Sequence, residues 1–151
     1  MSCDSTLLEM TLQSNRAALP GMRDRVRALA KAERFDEEAG GQIVLAVEEA
    51  LANIIKHGYE GASDQPIEVR FERLEENGRR GIRVTLRDYG RQVDPATIRS
   101  RDLDDVRPGG LGVHIIRSIM DEVVYACPVD CGMLLTMTKW RDPPDDPTEA
   151  E

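Results

Sequence analysis

With 151 residues, 28 acidic against 20 basic side chains and a net charge of −8, the chain is long enough for one core without disulfides. It carries no basic run suited to broad nucleic-acid binding. Three scattered cysteines, Cys3, Cys127 and Cys131, form no CxxC and no metal spacing with His57 and His114, which fits a reducing compartment. No signal peptide and no bilayer-length apolar run are read, so a soluble cytoplasmic protein without membrane contact is expected.

Thr6 to Gln13 reads as a first strand, with Leu8, Met10 and Leu12 alternating against polar neighbours. Ser14 and Asn15 are cap-type residues before a helix to about Arg34, although Pro20-Gly21 moves its first turn later. Asp36 is the expected N-cap of a long helix to His57, closed by Gly58; Gly40-Gly41 leaves room for two shorter helices instead. Pro66 to Leu74 and Ile82 to Asp88 are alternating strands whose connection contains Asn77-Gly78, a strong hairpin signal. Asp94 to Gly110 is a long polar connection, the type that forms lids or mobile segments. A short helix from Leu111 to Met120 and a closing hairpin, Val123 to Cys127 and Met133 to Trp140, complete the order. The acidic, Pro-rich stretch 142–151 is expected to be disordered. This order predicts an α+β fold, a two-layer sandwich of a mixed, mostly antiparallel sheet with helices on one face.

The long helix carries the most informative pattern. Ile43, Val47, Ala50, Leu51 and Ile54 gather on one side, and Glu49, Asn53 and Lys56 stack on the other. At about 100° per residue, Glu48 points away from Glu49, so the two acids serve different purposes. Asn is a weak helix former; an amide oxygen one turn from a carboxylate suits a hydrated Mg²⁺ beside a general base. Lys56 at the helix end is either solvated or a phosphate contact.

Asp88 ends the apolar row of its strand, on the core side, where a carboxylate needs a hydrogen-bond donor such as the exocyclic amine of adenine. Read alone, Asp88-Tyr89-Gly90 is as readily a strand-ending turn. Pro108-Gly109-Gly110-Leu111-Gly112 runs into a helix, where backbone amides can approach phosphate. It is neither a Walker A loop nor a full GxGxxG, and a flexible helix entry explains it equally. His57 and His114 read as structural. The run 99–107 holds three arginines and three aspartates, a solvated loop or a lid whose arginines close on phosphates. Met133 and Met137 read as packing residues.

Taken in order, Glu48-Glu49-Ala50-Leu51-Ala52-Asn53-Ile54-Ile55-Lys56-His57-Gly58-Tyr59, then Arg87-Asp88-Tyr89-Gly90, then Gly110-Leu111-Gly112 through Val123 resemble the Bergerat (GHKL) ATP-binding fold. Within it the chain is similar to the bacterial anti-sigma factor serine-protein kinases, from the first strand to Trp140. The resemblance implies a histidine kinase-like ATPase domain over 1–141. It also implies an ATP-dependent serine/threonine kinase that phosphorylates a serine of a STAS-type anti-anti-sigma protein and sequesters a sigma factor, commonly as a homodimer. It implies Glu49 as base, Asn53 as Mg²⁺ ligand, Lys56 near phosphate, Asp88 and Gly90 at adenine, and Gly110, Leu111 and Gly112 around the phosphates. The alternative is a non-catalytic, nucleotide-binding partner-switch protein acting by sequestration. The family's Asp-x-Gly-x-Gly would place a second glycine at Gln92, which leaves two outcomes open: ATP binding with an altered lid entry, or a reduced affinity that restoring glycine would recover.

Overall fold

Alternation along the strands decides which side of the sheet is buried. In a computed structural model, which describes residues 5–98 and 111–141, strand β2 (Pro66–Glu76) buries Ile67, Val69 and Phe71 while Glu68 and Arg70 face solvent. Strand β3 (Arg79–Asp88) buries Ile82, Val84, Leu86 and Asp88 toward the same layer. With β1 (Thr6–Gln13), β4 (Glu122–Ala126) and β5 (Leu134–Trp140) they form one sheet in the order β1-β2-β3-β5-β4. Every described pairing is antiparallel, so the sheet is antiparallel throughout rather than mixed. Phe71 has no exposed surface; truncating a side chain so placed costs about 3–5 kcal/mol.

The β2–β3 turn is tighter than the sequence suggests. Glu76 pairs with Arg79, leaving a two-residue loop in which Asn77 (φ 54°) and Gly78 (φ 79°) both take left-handed backbone. That is the geometry a right-twisted hairpin favours. The charged residues expected in the connection instead extend both strands, since Arg80 pairs with Glu75 across them at 3.0 Å.

Three helices, α1 (Leu19–Ala32), α2 (Glu37–Asn53) and α3 (Leu111–Ile119), bring Met22, Val26, Ile43, Val47, Leu51 and Ile116 to the buried face. Asn15, not Ser14, makes the first cap, accepting from Ala17 N–H at 2.9 Å at the head of a 3-10 turn, Arg16–Ala18. Helix α1 follows with Pro20 in its first turn, where no amide is missed. Ser14 is buried for another purpose: its hydroxyl donates to the Ala62 carbonyl and accepts from Gln65 N–H at 3.1 Å. Asp36 caps α2 as expected, accepting from Ala39 N–H at 2.7 Å. The helix runs unbroken through Gly40-Gly41. A Cβ at Gly40 would make an ordinary 3.5 Å contact with Ala30 of α1, and one at Gly41 would meet nothing within 4 Å.

Helix α2 does not continue regularly to His57. From Ile54 to Gly58 it widens into a π-helical turn, with Tyr59 N–H reaching back to the Ile54 carbonyl at 2.9 Å. Such single wide turns are frequent at functional sites. No helix of the described residues is long and apolar enough to cross a membrane.

Candidate functional site

The wide turn stands beside a cavity of about 310 Å³, bounded by α2, the end of β3, the segment after it, and the β4–β5 hairpin. Its polar lining comes from Asn53, His57, Asp88 and Arg91; Val93, Val113 and Leu135 are among its apolar walls. A largely apolar slot with a few convergent polar groups is the usual form of a small-molecule site.

Asp88 anchors one end. It is 2% exposed, and its Oδ1 accepts from Gly90 N–H at 3.0 Å and Met133 N–H at 3.3 Å. Burial pushes its carboxyl above the usual range, against the opposing pull of those two amides and of Arg87. Gly90 is glycine because a Cβ there would lie 2.3 Å from the Gly58 carbonyl oxygen. That same carbonyl accepts from Arg91 N–H at 2.8 Å, so the π turn and the chain leaving β3 are stitched together. Gly132, which the sequence did not single out, presses on the other side: its φ is +71° and a Cβ would stand 2.0 Å from the Asp88 carbonyl oxygen. Tyr59 completes the support. Its hydroxyl donates to Pro66 O at 2.6 Å and accepts from Tyr89 N–H at 2.7 Å, and burial pushes the phenol up.

Glu49 and Asn53 lie one turn apart on α2, both half-buried, facing the start of α3. A Cβ on Gly112 would meet Glu49 Oε2 at 2.9 Å and the Asn53 amide atoms at 3.3 Å. Glycine thus lets the first turn of α3 close over both side chains. Glu48 points elsewhere, as helix geometry requires, and pairs with Arg23 of α1. Lys56 is exposed on the wide turn and does not line the cavity. His57, read as structural, is exposed and lines the cavity, while His114 is half-buried on α3. Leu111 opens α3. Gly110, the arginine-rich run 99–107 and the stretch 142–151 lie outside the described residues.

Gln92 takes no left-handed backbone: among the described non-glycine residues only Arg34, Glu60 and Asn77 have positive φ. Its side chain donates to the Pro128 carbonyl at 2.6 Å. The left-handed freedom that a glycine would supply is not used by the backbone there. Arg91, Val93 and Tyr125 are further lining residues the sequence left unmarked; Tyr125 carried only the signal of an aromatic in a strand. Burial pushes its phenol up.

Residues 12–139 match the histidine kinase-like ATPase domain family. The serine-protein kinase RsbW of Staphylococcus aureus is 37% identical over 106 residues, which are 64% of this chain and 62% of that protein. The same kinase from strain JH9 is 36% identical over an equal span. The chain therefore spans 62% of the length of the curated relatives it matches. Among solved structures, the SiaB–SiaC complex of Pseudomonas aeruginosa superposes with a TM-score of 0.63 at 15% identity, covering 91% of this chain and 90% of that one. The RsbU and RsbW domains of a Mycobacterium tuberculosis protein give 0.61 at 21% identity, covering 90% and 33%. At such identities these two matches speak to the fold, which they share.

Proposed function

The chain belongs to the histidine kinase-like ATPase domain family, and on that premise we propose that it is a serine/threonine protein kinase of the partner-switching type. Its substrate is a serine on a STAS-type anti-anti-sigma protein, and it sequesters a sigma factor in the cytoplasm as a homodimer. The observation that carries this reading is one cavity holding Asn53 and Asp88, with Glu49 beside Asn53 under the glycine-headed α3. The similarity to RsbW supports the choice of a protein serine as acceptor.

The residues present fit Mg-ATP. The Asp88 carboxylate, buried yet fixed at one oxygen by two amides, suits a donor such as the adenine amine. A Cβ on Gly58 would touch Asp88 Oδ1 at 3.6 Å, so the missing side chain leaves room beside it. Mg²⁺ bound with a triphosphate takes only one or two protein oxygens, and Asn53 offers one. Bound Mg-ATP would supply the phosphoryl group and the cation that offsets its charge. Glu49 would accept the proton of the attacking serine, Asn53 would offer its amide oxygen to the cation, and Leu111 and Gly112 at the start of α3 would stand nearest the phosphates; the phosphate roles of Gly110, which lies outside the described residues, and of Lys56 are part of the same proposal. Most of the rate advantage of such a site lies in positioning. The sequestration-only alternative drew its support from Gln92, whose unstrained backbone and Pro128 bond give no ground for a decayed site.

The test is direct. Incubation with Mg-ATP and the anti-anti-sigma protein, followed by mass spectrometry, yields phosphoserine from the unaltered chain and little from Glu49→Gln. Equal transfer by both would remove Glu49 as base, and none from either would favour sequestration alone.

A further inference from the structure

Two side-chain bonds join the segment leaving β3 to the β4–β5 hairpin loop, and they run in opposite directions. Gln92 Nε2, on the segment, donates to the Pro128 carbonyl of the loop at 2.6 Å. The Cys127 thiol, on the loop, donates to the Val93 carbonyl of the segment at 3.1 Å. Cys127 Sγ also lies 3.6 Å from Met133 Sδ. Val93 and Met133 both line the cavity, so the thiol touches one lining residue on each side of its outer rim. The segment is anchored at Arg91 by the Gly58 carbonyl and turns away at the 3-10 turn Pro95–Thr97. Val93 lies between these anchors, and its carbonyl accepts one of the two cross-bonds while its neighbour Gln92 makes the other.

We infer that Gln92 and Cys127 form a reciprocal clasp that holds the outer wall of the nucleotide cavity, making both of them positioning residues for ATP binding. The inference rests on the nucleotide reading above. Neither side chain lines the cavity; each acts through the backbone it holds. The arrangement also explains a glutamine at 92: a glycine could not span to Pro128. Cys127 is exposed, so the clasp can be opened chemically from outside without altering a cavity-lining residue.

The experiment uses a full chain with Cys3→Ser and Cys131→Ser, leaving Cys127 as the one thiol, and reads ATP affinity by equilibrium titration. In this parent, Gln92→Ala and Cys127→Ala are each expected to weaken ATP binding about threefold to tenfold, the range for loss of one modest hydrogen bond. Cys127→Ser keeps a donor and is expected to bind like the parent. The effects of the two alanine variants combined should fall short of their product, since both open one clasp. N-ethylmaleimide tests the thiol half: the thiolate forms an S–C bond as the alkene π bond breaks, the neighbouring carbon takes a proton from water, and the S–H donor is lost. This capping should weaken ATP binding of the parent by a similar factor and leave Cys127→Ser unaffected, and ATP should slow the capping. In kinase assays the KM for ATP should rise while kcat holds, a split that general loosening of the fold would not give. Parent, Gln92→Ala and Cys127→Ala binding ATP within twofold of one another would overturn the clasp. Should Cys127→Ala misfold by thermal unfolding, the Gln92→Ala and maleimide arms still decide. Failure of the unaltered chain to bind ATP would instead bring down the nucleotide reading, and the clasp with it.

Discussion

At one end of the cavity Asp88 is 2% exposed and held by Gly90, Met133 and the pressure of Gly132. At the other, Glu49 and Asn53 are half-buried, and among the described residues neither side chain makes a hydrogen bond. On the proposed function, the difference matches what each end would do. Recognising a flat base by one carboxylate requires donors, acceptors and walls already in place, because every ordering step on binding weakens affinity. A base that accepts a proton from another protein's serine must stay reachable and free of a competing partner. On that proposal the first end is already built and the second would be completed by its ligand.

The largest expected break in this contrast is Glu49→Gln. Removing a general base costs about 10²–10⁴-fold in rate, and ATP affinity should hold, since nothing in the Asp88 end touches Glu49; single-turnover transfer and titration on the same samples check both halves. Next are the two glycines. Gly90→Ala places a Cβ 2.3 Å from a backbone carbonyl that cannot yield, so unfolding should be easier by about 3 kcal/mol, measured by denaturant melts. Gly112→Ala meets only the ends of Glu49 and Asn53, which can swing aside; it should slow transfer about tenfold or more through misplacement of those groups while costing far less stability.

Asp88→Asn is the third in size. The amide can still accept from Gly90 and Met133 but turns a donor toward the adenine amine, so ATP binding should weaken about tenfold, ~1.4 kcal/mol. Stability should move the other way, with a defined pH sign. Because burial raises the folded carboxyl above its unfolded value, the stabilisation Asp88 gives is full below the unfolded pKa, about 3.9. It is lost as pH rises through the folded value. The difference in Tm between Asp88→Asn and the parent should therefore grow in favour of the variant as pH climbs from about 4; a flat difference would contradict the burial account. Smallest is Arg23→Ala, which frees Glu48 on the surface. It should leave stability close to that of the unaltered chain and leave transfer unchanged, separating Glu48 from its neighbour Glu49 in solution as the helix separates them in space.

What could be read in the sequence was what depends on neighbours in the chain. The helical stripe of α2, the Asp36 cap, the Asn77-Gly78 hairpin and the core-facing Asp88 all follow from local spacing. So did the separation of Glu48 from Glu49. The places where reading fell short depend on residues far along the chain. Ser14 looks like a cap until Ala62 and Gln65 are brought to it. Gly40-Gly41 looks like a break, yet α2 runs through it with Gly40 buried. Gln92 looks like damage to a glycine motif until Pro128, 36 positions later, accepts its amide. Lys56 and Gly110 each read as phosphate contacts beside a plainer alternative, a solvated helix end and a flexible helix entry; the first lies off the cavity and the second falls outside the described residues.

The wide turn at Ile54–Gly58 sets a rule about sequence length rather than identity. Its extra residue swings the Gly58 carbonyl out of the helix column, so that it serves as a ledge for Arg91 N–H and a neighbour for Gly90. Side chains on the turn can change with little consequence for that ledge. A deletion cannot: one residue fewer would restore a regular helix and rotate everything beyond it by about 100°. Deleting Lys56 should therefore abolish ATP binding where Lys56→Ala merely trims it, a comparison one titration makes. Relatives of this chain that keep the site should vary in the exposed Lys56 of this turn and hardly at all in its residue count.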